Sequence, residues 1–167
     1  MKKILVLVAS LLIVTQLFSQ TKPKYIFLFI GDGMGLVQSQ LADSYLRATC
    51  KDSLAFVKFP SQGFQTTYSL SSAITCSAAA GTAIACGQKT MANYIGIAAN
   101  GKDTLESIAV KAKNSGMKVG IITSVSIDHA TPAVFYAHDA SRNSYHSIAM
   151  QLPKSQFDFF GGGAFLK

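Results

Sequence analysis

The chain has 167 residues, 49% of them hydrophobic, and a formal net charge of +7 at pH 7. This length suits one domain with a real core. The basic residues are scattered and are not interleaved with aromatic residues, so the composition argues against nucleic-acid binding and suits a small anionic substrate. The three cysteines lack the spacing of a metal site and allow at most one disulfide.

The first residues have the pattern of an export signal. Lys2 and Lys3 precede an apolar run, and a plausible cleavage site follows near Ser19 or Gln20. The run is short for a membrane span, which needs about 20 apolar residues, and no cysteine follows it to accept a lipid. We therefore predict a signal peptide over residues 1–20, one domain over 21–167, no stable membrane anchor, and a periplasmic or extracellular location.

The first predicted element of the mature chain is a strand. Residues Tyr25–Ile30 form a continuous apolar run that is typical of a strand buried on both faces, and Leu36–Ala48 follow as a predicted helix. Asp32 stands between them among glycines, at the strand end where α/β sheets bind ligands. The dinucleotide-binding fingerprint requires a third glycine where this chain has Leu36, so that motif is excluded. A P-loop is excluded as well, because no Gly-Lys-Ser/Thr sequence follows. The carboxylate favours a cation site; the alternative is a turn aspartate that bonds its own backbone.

A hydroxyl at the start of an alanine-rich run is the next feature. Residues 63–70 alternate as in a strand and lead to Ser77, which precedes the small residues of a predicted helix over 78–85. Unpaired N–H groups and the positive end of the helix dipole make this position suitable for a phosphate, and a serine there could attack it. The alternative is that Ser77 only caps the helix.

The next elements complete an alternation of strands and helices. Asp103 and Glu106 have the spacing of a capping box, Thr104–Ser115 are predicted as a helix, and Gly116 is predicted to end it. Lys118–Val125 form a second apolar strand. This order predicts an α/β fold with a mostly parallel sheet and helices on both faces.

The second strand is followed by another polar cluster. Thr131 is predicted to cap a helix that has Pro132 at its first position. His138, Arg142 and His146 follow at four-residue spacing, so they would share one face if that helix continued; for the two histidines a solvated surface is the simpler interpretation. A strand over Phe157–Phe160 is predicted to end at the glycines 161–163.

The strand-end clusters together resemble the alkaline phosphatase family. The matching pieces are FIGDGMG (29–35), TCSAAAGTA (75–83), HATPAVFYAH followed by SR (129–142) and FGGG (160–163). They occur in the family's order with similar spacing and cover nearly all of the mature chain. The resemblance implies a three-layer fold of which this chain is the amino-terminal part.

The resemblance also implies roles for five residues. Ser77 matches the nucleophile that becomes a phosphoserine, and Arg142 matches the arginine that grips two phosphate oxygens. Asp32 matches the aspartate that bridges a zinc and the magnesium, Thr131 matches a magnesium ligand, and His129 falls where some members place an Asp beside that site. The implied reaction is hydrolysis of small phosphate monoesters, with Zn and Mg as cofactors. A homodimer is a further expectation that stays open.

Two departures from the family pattern change these expectations. Many members have Asp immediately before the serine, where it orients the arginine, and here that residue is Cys76. We therefore expect Arg142 to be held loosely. His129 in place of Asp removes a negative charge near magnesium, which prefers oxygen ligands. That site should bind its metal less tightly.

The ligand count limits the reaction expected of these residues alone. The family's remaining zinc and magnesium ligands lie beyond Lys167, and a catalytic zinc normally needs three protein ligands. We therefore expect an incomplete metal centre and negligible activity from the 167 residues. Two alternatives stay open: a non-catalytic secreted α/β module that binds an anion, and, with less support, a sulfatase-like hydrolase, whose Cys/Ser-x-Pro-x-Arg pattern is absent.

Overall fold

The computed structural model describes residues 23–166, which divide into two compact units at Gly31. In the first unit, residues 23–31 contain no strand, and the apolar side chains are exposed, with Phe29 at 87%. The predicted buried strand Tyr25–Ile30 is therefore wrong for this structure. A strand needs a neighbour for its N–H and C=O groups, and residues 23–31 supply no such neighbour among themselves. The predicted signal peptide lies outside the described residues.

The second unit contains five helices and two strands among its described residues, 32–166. They are α1 (Leu36–Cys50), α2 (Ser77–Cys86), α3 (Ile108–Asn114), β1 (Gly120–Ser126), α4 (Ala130–Ala133), α5 (Tyr145–Ala149) and β2 (Phe159–Gly163), with 3₁₀ turns at Ala55–Lys58 and Pro153–Ser155. None of the helices in the described part of the chain is long and apolar enough to cross a membrane.

The two strands form a parallel pair, as the predicted α/β class requires. Gly120 pairs with Phe159 and Ile122 with Gly161. Asp158 holds the start of the pair, because its carboxylate accepts bonds from the Val119 N–H at 2.9 Å and from two lysine side chains. The strand β2 begins at Phe159 and includes the glycines 161–163, which corrects the predicted strand over Phe157–Phe160 that these glycines were to end.

The core is centred on α2 and its contact with α4. Ala78, Ala79 and Ala85 of α2 are buried, and α2 packs against α4. A Cβ at Gly81 would lie 3.0 Å from Cγ2 of Val134, closer than ordinary van der Waals contact. The small residues of the 78–85 run therefore serve close packing, as well as placing Ser77 at the helix start.

A loop over residues 88–107 is held against α2 by buried hydroxyls. Thr82 Oγ1 donates to the Tyr94 carbonyl at 3.2 Å and accepts the Gly96 N–H at 3.0 Å. Gly96 has φ +58°, and a Cβ there would lie 2.6 Å from the Ala137 carbonyl oxygen. The close approach and the left-handed backbone both require glycine at this position.

Three further predictions about local structure are wrong. Residues 63–70 form no strand; instead the Leu70 N–H donates to the Thr90 carbonyl. The third helix begins at Ile108 and is capped by Ser107, whose Oγ accepts the Val110 N–H, so Asp103 and Glu106 form no capping box. The helix predicted after Thr131 ends at Ala133 and has His129 as its N-cap.

That early helix end also separates three residues that would have shared a face if the helix had continued. His138 and Arg142 lie between α4 and α5, and His146 lies in α5. The His138 ring contacts the Gly96 carbonyl at 2.7 Å, so this side chain is tied to the loop. His146 is exposed on the surface, as the simpler interpretation of the sequence predicted.

Candidate active site

Ser77 is the first residue of α2. The residue before it, Cys76, has an extended backbone and is the N-cap, so Ser77 is inside the helix and is not its cap. The first N–H groups of a helix have no intrahelical partner, and the helix dipole places partial positive charge there. A half-buried hydroxyl thus stands at a position that favours an anion.

Two hydroxyls converge on the carboxylate of Asp32. Ser77 Oγ donates to Oδ1 at 3.0 Å, and Thr131 Oγ1 donates to Oδ2 at 2.7 Å. These residues come from the turn before α1, the start of α2 and the short helix α4 after β1. Residues separated by 45 and 99 positions in the sequence therefore share one cluster.

The electrostatics of this cluster keep Asp32 ionised. The hydrogen bond from Thr131 is the largest cause that lowers the pKa of Asp32 below its ordinary value, and the bond from Ser77 acts in the same direction. Partial burial opposes them, while the nearby His129 and Arg142 lower the pKa further. A carboxylate with a lowered pKa is a weak base at neutral pH. Asp32 can orient the Ser77 hydroxyl, but it is poorly suited to remove its proton.

Arg142 contacts His129. Its Nη2 lies 3.3 Å from Nε2 of that ring, and both side chains are partly buried. The positive charge of Arg142 also reaches Asp32 and Cys76, where it lowers the pKa of each group. Arg142 therefore lies close enough for its charge to act on residues of the Ser77 cluster. Its direct neighbour is the imidazole of His129.

The thiol of Cys76 is surrounded by backbone N–H groups. Its Sγ accepts the Asn93 N–H at 3.2 Å. Burial raises the pKa of the thiol, but three backbone N–H groups and the charge of Arg142 outweigh burial, so that pKa lies below its ordinary value. The N–H groups belong to Ala79, Asn93 and Ala78. This contact connects the loop over residues 88–107 to the N-terminus of α2, beside Ser77.

The donors in the cluster fit magnesium better than zinc. One carboxylate and two hydroxyls are oxygen donors, and Mg²⁺ is typically held by one or two carboxylates while it keeps several waters. Zinc needs more protein ligands. Within residues 23–166, no group of three or more His, Cys, Asp or Glu side chains is placed to hold one metal ion. The buried Nδ1 of His129 has no hydrogen-bond partner, so it is the remaining candidate for a metal ligand in this cluster.

The five residues predicted for the site are thus linked by two sets of contacts. Asp32 bonds Ser77 and Thr131, and His129 contacts Arg142. Their catalytic and metal-binding roles stay predictions. Two features were missed: the Arg142–His129 contact and the Asn93 N–H bond to Cys76. Neither has a signal in the sequence, because both join loop residues whose backbone paths depend on the folded chain.

Fold and site define an α/β protein with a serine hydroxyl presented at a helix start beside a carboxylate. The sequence pattern of the family described as alkaline phosphatase matches residues 23–158. The chain belongs to the alkaline phosphatase family.

Relatives with curated descriptions agree with this assignment. Alkaline phosphatase 4 of Drosophila melanogaster is 35% identical over 136 residues, which cover 74% of this chain and 23% of that protein. The tissue-nonspecific alkaline phosphatase of Felis catus is 34% identical over 142 residues, 76% of this chain and 27% of that protein. The chain therefore spans about a quarter of the length of these relatives.

Solved structures show the same fold. Alkaline phosphatase from the Antarctic bacterium TAB5 matches with a TM-score of 0.69 at 36% identity over 77% of this chain and 36% of that one. The Thermus thermophilus enzyme matches with a TM-score of 0.69 at 34% identity over 75% of this chain and 27% of that one. A TAB5 mutant with histidine replaced by aspartate, similar at a TM-score of 0.71, has Mg bound in its M3 site.

Proposed function

We propose that the protein hydrolyses small phosphate monoesters, with Ser77 as the nucleophile that becomes a phosphoserine. The observation that carries this proposal is the shared carboxylate: Asp32 accepts hydrogen bonds from both Ser77 and Thr131 at the positive end of α2. The hydroxyl is oriented, the helix start favours the phosphate, and the family assignment supports the reaction class.

Arg142 is proposed to bind two phosphate oxygens. A guanidinium offers a planar pair of donors that lysine cannot reproduce. Its charge already influences Asp32 and Cys76, the residue beside Ser77. Arg142 would thus hold the phosphate near the Ser77 hydroxyl, while backbone N–H groups at the start of α2 face the same charge.

Zn and Mg are proposed as cofactors. Asp32 and Thr131 would hold Mg, with Asp32 also facing a zinc, and His129 would lie beside the magnesium. When bound, such cations lower the pKa of a coordinated hydroxyl and neutralise charge on the attacking and leaving oxygens. This chemistry is needed because Asp32 is too weak a base to activate Ser77 by itself.

An aryl phosphate assay tests the proposal. We expect negligible turnover from the 167 residues with zinc and magnesium supplied. A longer chain that adds the carboxyl-terminal part present in the relatives should be active at alkaline pH. In that longer chain, Ser77→Ala should abolish the phosphoserine, and Arg142→Ala should mainly weaken phosphate binding.

The control is Ser147→Ala, which alters an exposed serine and should leave turnover unchanged. Chelator-resistant turnover by the 167 residues would contradict the metal-dependent mechanism. A phosphoserine that persists in Ser77→Ala would contradict the assignment of the nucleophile.

A second candidate function is binding of an anion without catalysis. The observation that favours it is the incomplete ligand set of the described residues 23–166. It predicts phosphate binding that depends on Arg142, with no turnover even in the longer chain. The same assay therefore separates the two functions. The sulfatase alternative has no support from the family assignment.

Export and assembly complete the proposal. We expect cleavage near Gln20 and release to the periplasm or the medium, which mass spectrometry of the exported chain would test. An exported chain that retains Met1 would contradict it.

The expected homodimer is tested by light scattering of the longer chain. A monomer mass at micromolar concentration would contradict it.

A further inference from the structure

The proton on His129 is determined by its neighbour. Arg142 Nη2 lies 3.3 Å from Nε2 of His129. A guanidinium has five N–H donors and no acceptor, and it does not lose its proton in proteins. Nε2 must therefore accept the bond. Because a neutral imidazole has one N–H and one bare nitrogen, the proton of His129 lies on Nδ1.

We propose that His129 is the residue that positions Arg142, through the lone pair on Nε2. This inference rests on the proposed function only for the statement that Arg142 binds phosphate. In the described residues 23–166, the ion pairs join other lysines and arginines to Asp43, Asp52 and Asp158, and none of them includes Arg142. The imidazole thus substitutes for a carboxylate as the partner of this guanidinium.

The same lone pair makes positioning and metal binding mutually exclusive at His129. A metal bound to Nε2 would take the lone pair that accepts from Arg142. A metal bound to the buried Nδ1 would displace the proton to Nε2, where it would point at another N–H donor. Either way Arg142 loses its acceptor. His129 therefore holds Arg142 or a metal, and not both at once.

Nitrogen NMR of the full 167-residue chain tests the tautomer without any catalysis. At alkaline pH, long-range ¹H–¹⁵N correlation should show His129 with a proton on Nδ1 and a bare Nε2. His138 is an internal reference, because its Nδ1 faces the Gly96 carbonyl and must donate to it. A proton on Nε2 of His129, or averaging between tautomers, would overturn the proposal. Failure of the phosphatase assay would not.

A variant pair tests the positioning role. His129→Ala should speed hydrogen exchange at the Arg142 guanidinium and weaken inorganic phosphate binding about tenfold. Adding Cys76→Asp, which places a carboxylate within the field of Arg142, should restore slow exchange. The matched control is His146→Ala, an exposed histidine, which should leave Arg142 unchanged. Unchanged Arg142 signals in His129→Ala would overturn the proposal.

Magnesium titration tests the exclusion. Any shift of the His129 nitrogens on adding Mg²⁺ should be accompanied by faster exchange at Arg142, and His129 signals that do not move should leave Arg142 unaltered. Either result supports the exclusion. A metal-bound His129 with an unaltered Arg142 would overturn it.

Discussion

Two regions of the second unit use apolar residues in opposite ways. Helix α1 (Leu36–Cys50) has no buried residue, and Leu41 and Tyr45 are 69% and 66% exposed. Residues 77–148 contain the buried alanines of α2 and the fully buried Ile148. The difference shows that hydrophobicity makes burial favourable but does not by itself produce it. Close approach requires complementary surfaces, and α2 achieves it with small residues.

The two regions also differ in the contacts that connect each helix to the rest of the second unit. Helix α1 is joined to the segment after it by Asp43, which accepts the Leu54 N–H and also bonds Arg47 within the helix. Helix α2 is joined by buried hydroxyl bonds through Thr82 and by side-chain packing against Val134. Exposed polar contacts contribute little to the free energy of unfolding, whereas buried contacts contribute several kcal/mol.

The largest expected effect is a matched pair of truncations, one in each region. Ile148→Ala should lower the free energy of unfolding by about 2–5 kcal/mol, because it leaves a cavity in the core. Leu41→Ala in α1 should change it by no more than about 0.5 kcal/mol. Urea unfolding of both variants is the measurement, and equal effects would contradict the comparison.

A smaller loss is expected from overfilling the contact between α2 and α4. Gly81→Val should cost about 1–3 kcal/mol, because its Cβ would meet Val134 at 3.0 Å. The cost should shrink when Val134→Ala is already present, with a coupling of about 0.5–3 kcal/mol. Strictly additive losses in the double-mutant cycle would show that positions 81 and 134 are not in contact.

The true cap of α3 can be distinguished from the cap that the sequence suggested. Ser107→Ala should cost about 1–2 kcal/mol, because Ser107 Oγ accepts the Val110 N–H and donates to the buried Phe135 carbonyl at 2.6 Å. Asp103→Ala is the control and should cost less. A larger loss of stability for Asp103→Ala would instead support the capping box that the sequence predicted.

The smallest effect is a change in the titration of Asp32. Its pKa is lower in the folded chain, so the hydrogen bonds stabilise the site above the ordinary value of about 3.9. That stabilisation is lost as pH falls through the lower folded value. Carboxyl ¹³C NMR should show a midpoint below the ordinary one. Thr131→Val should raise it more than Ser77→Ala, and the reverse order would contradict the assigned causes.

Sequence reasoning identified the polar residues of the site and many of the elements that contain them. Strand β1, helices α1 and α2 and the Gly116 stop follow from local patterns, and Gly116 indeed has φ +87°. The family motifs indicated Asp32, Ser77 and Thr131, which the folded chain brings into contact. The segments 25–30 and 63–70 were predicted as strands and are not, because strand formation depends on a partner that a local pattern cannot supply.

Local chemistry determined helices α1 and α2, strand β1, the helix stop at Gly116 and the hydroxyl at the start of α2, because helix propensity, capping and turn preference act over a few residues. Only the tertiary structure decided that Ser107 caps α3 and that Arg142 meets His129. These outcomes depend on backbone paths through loops. Spacing along the chain does not determine which donor reaches which acceptor once distant segments pack together.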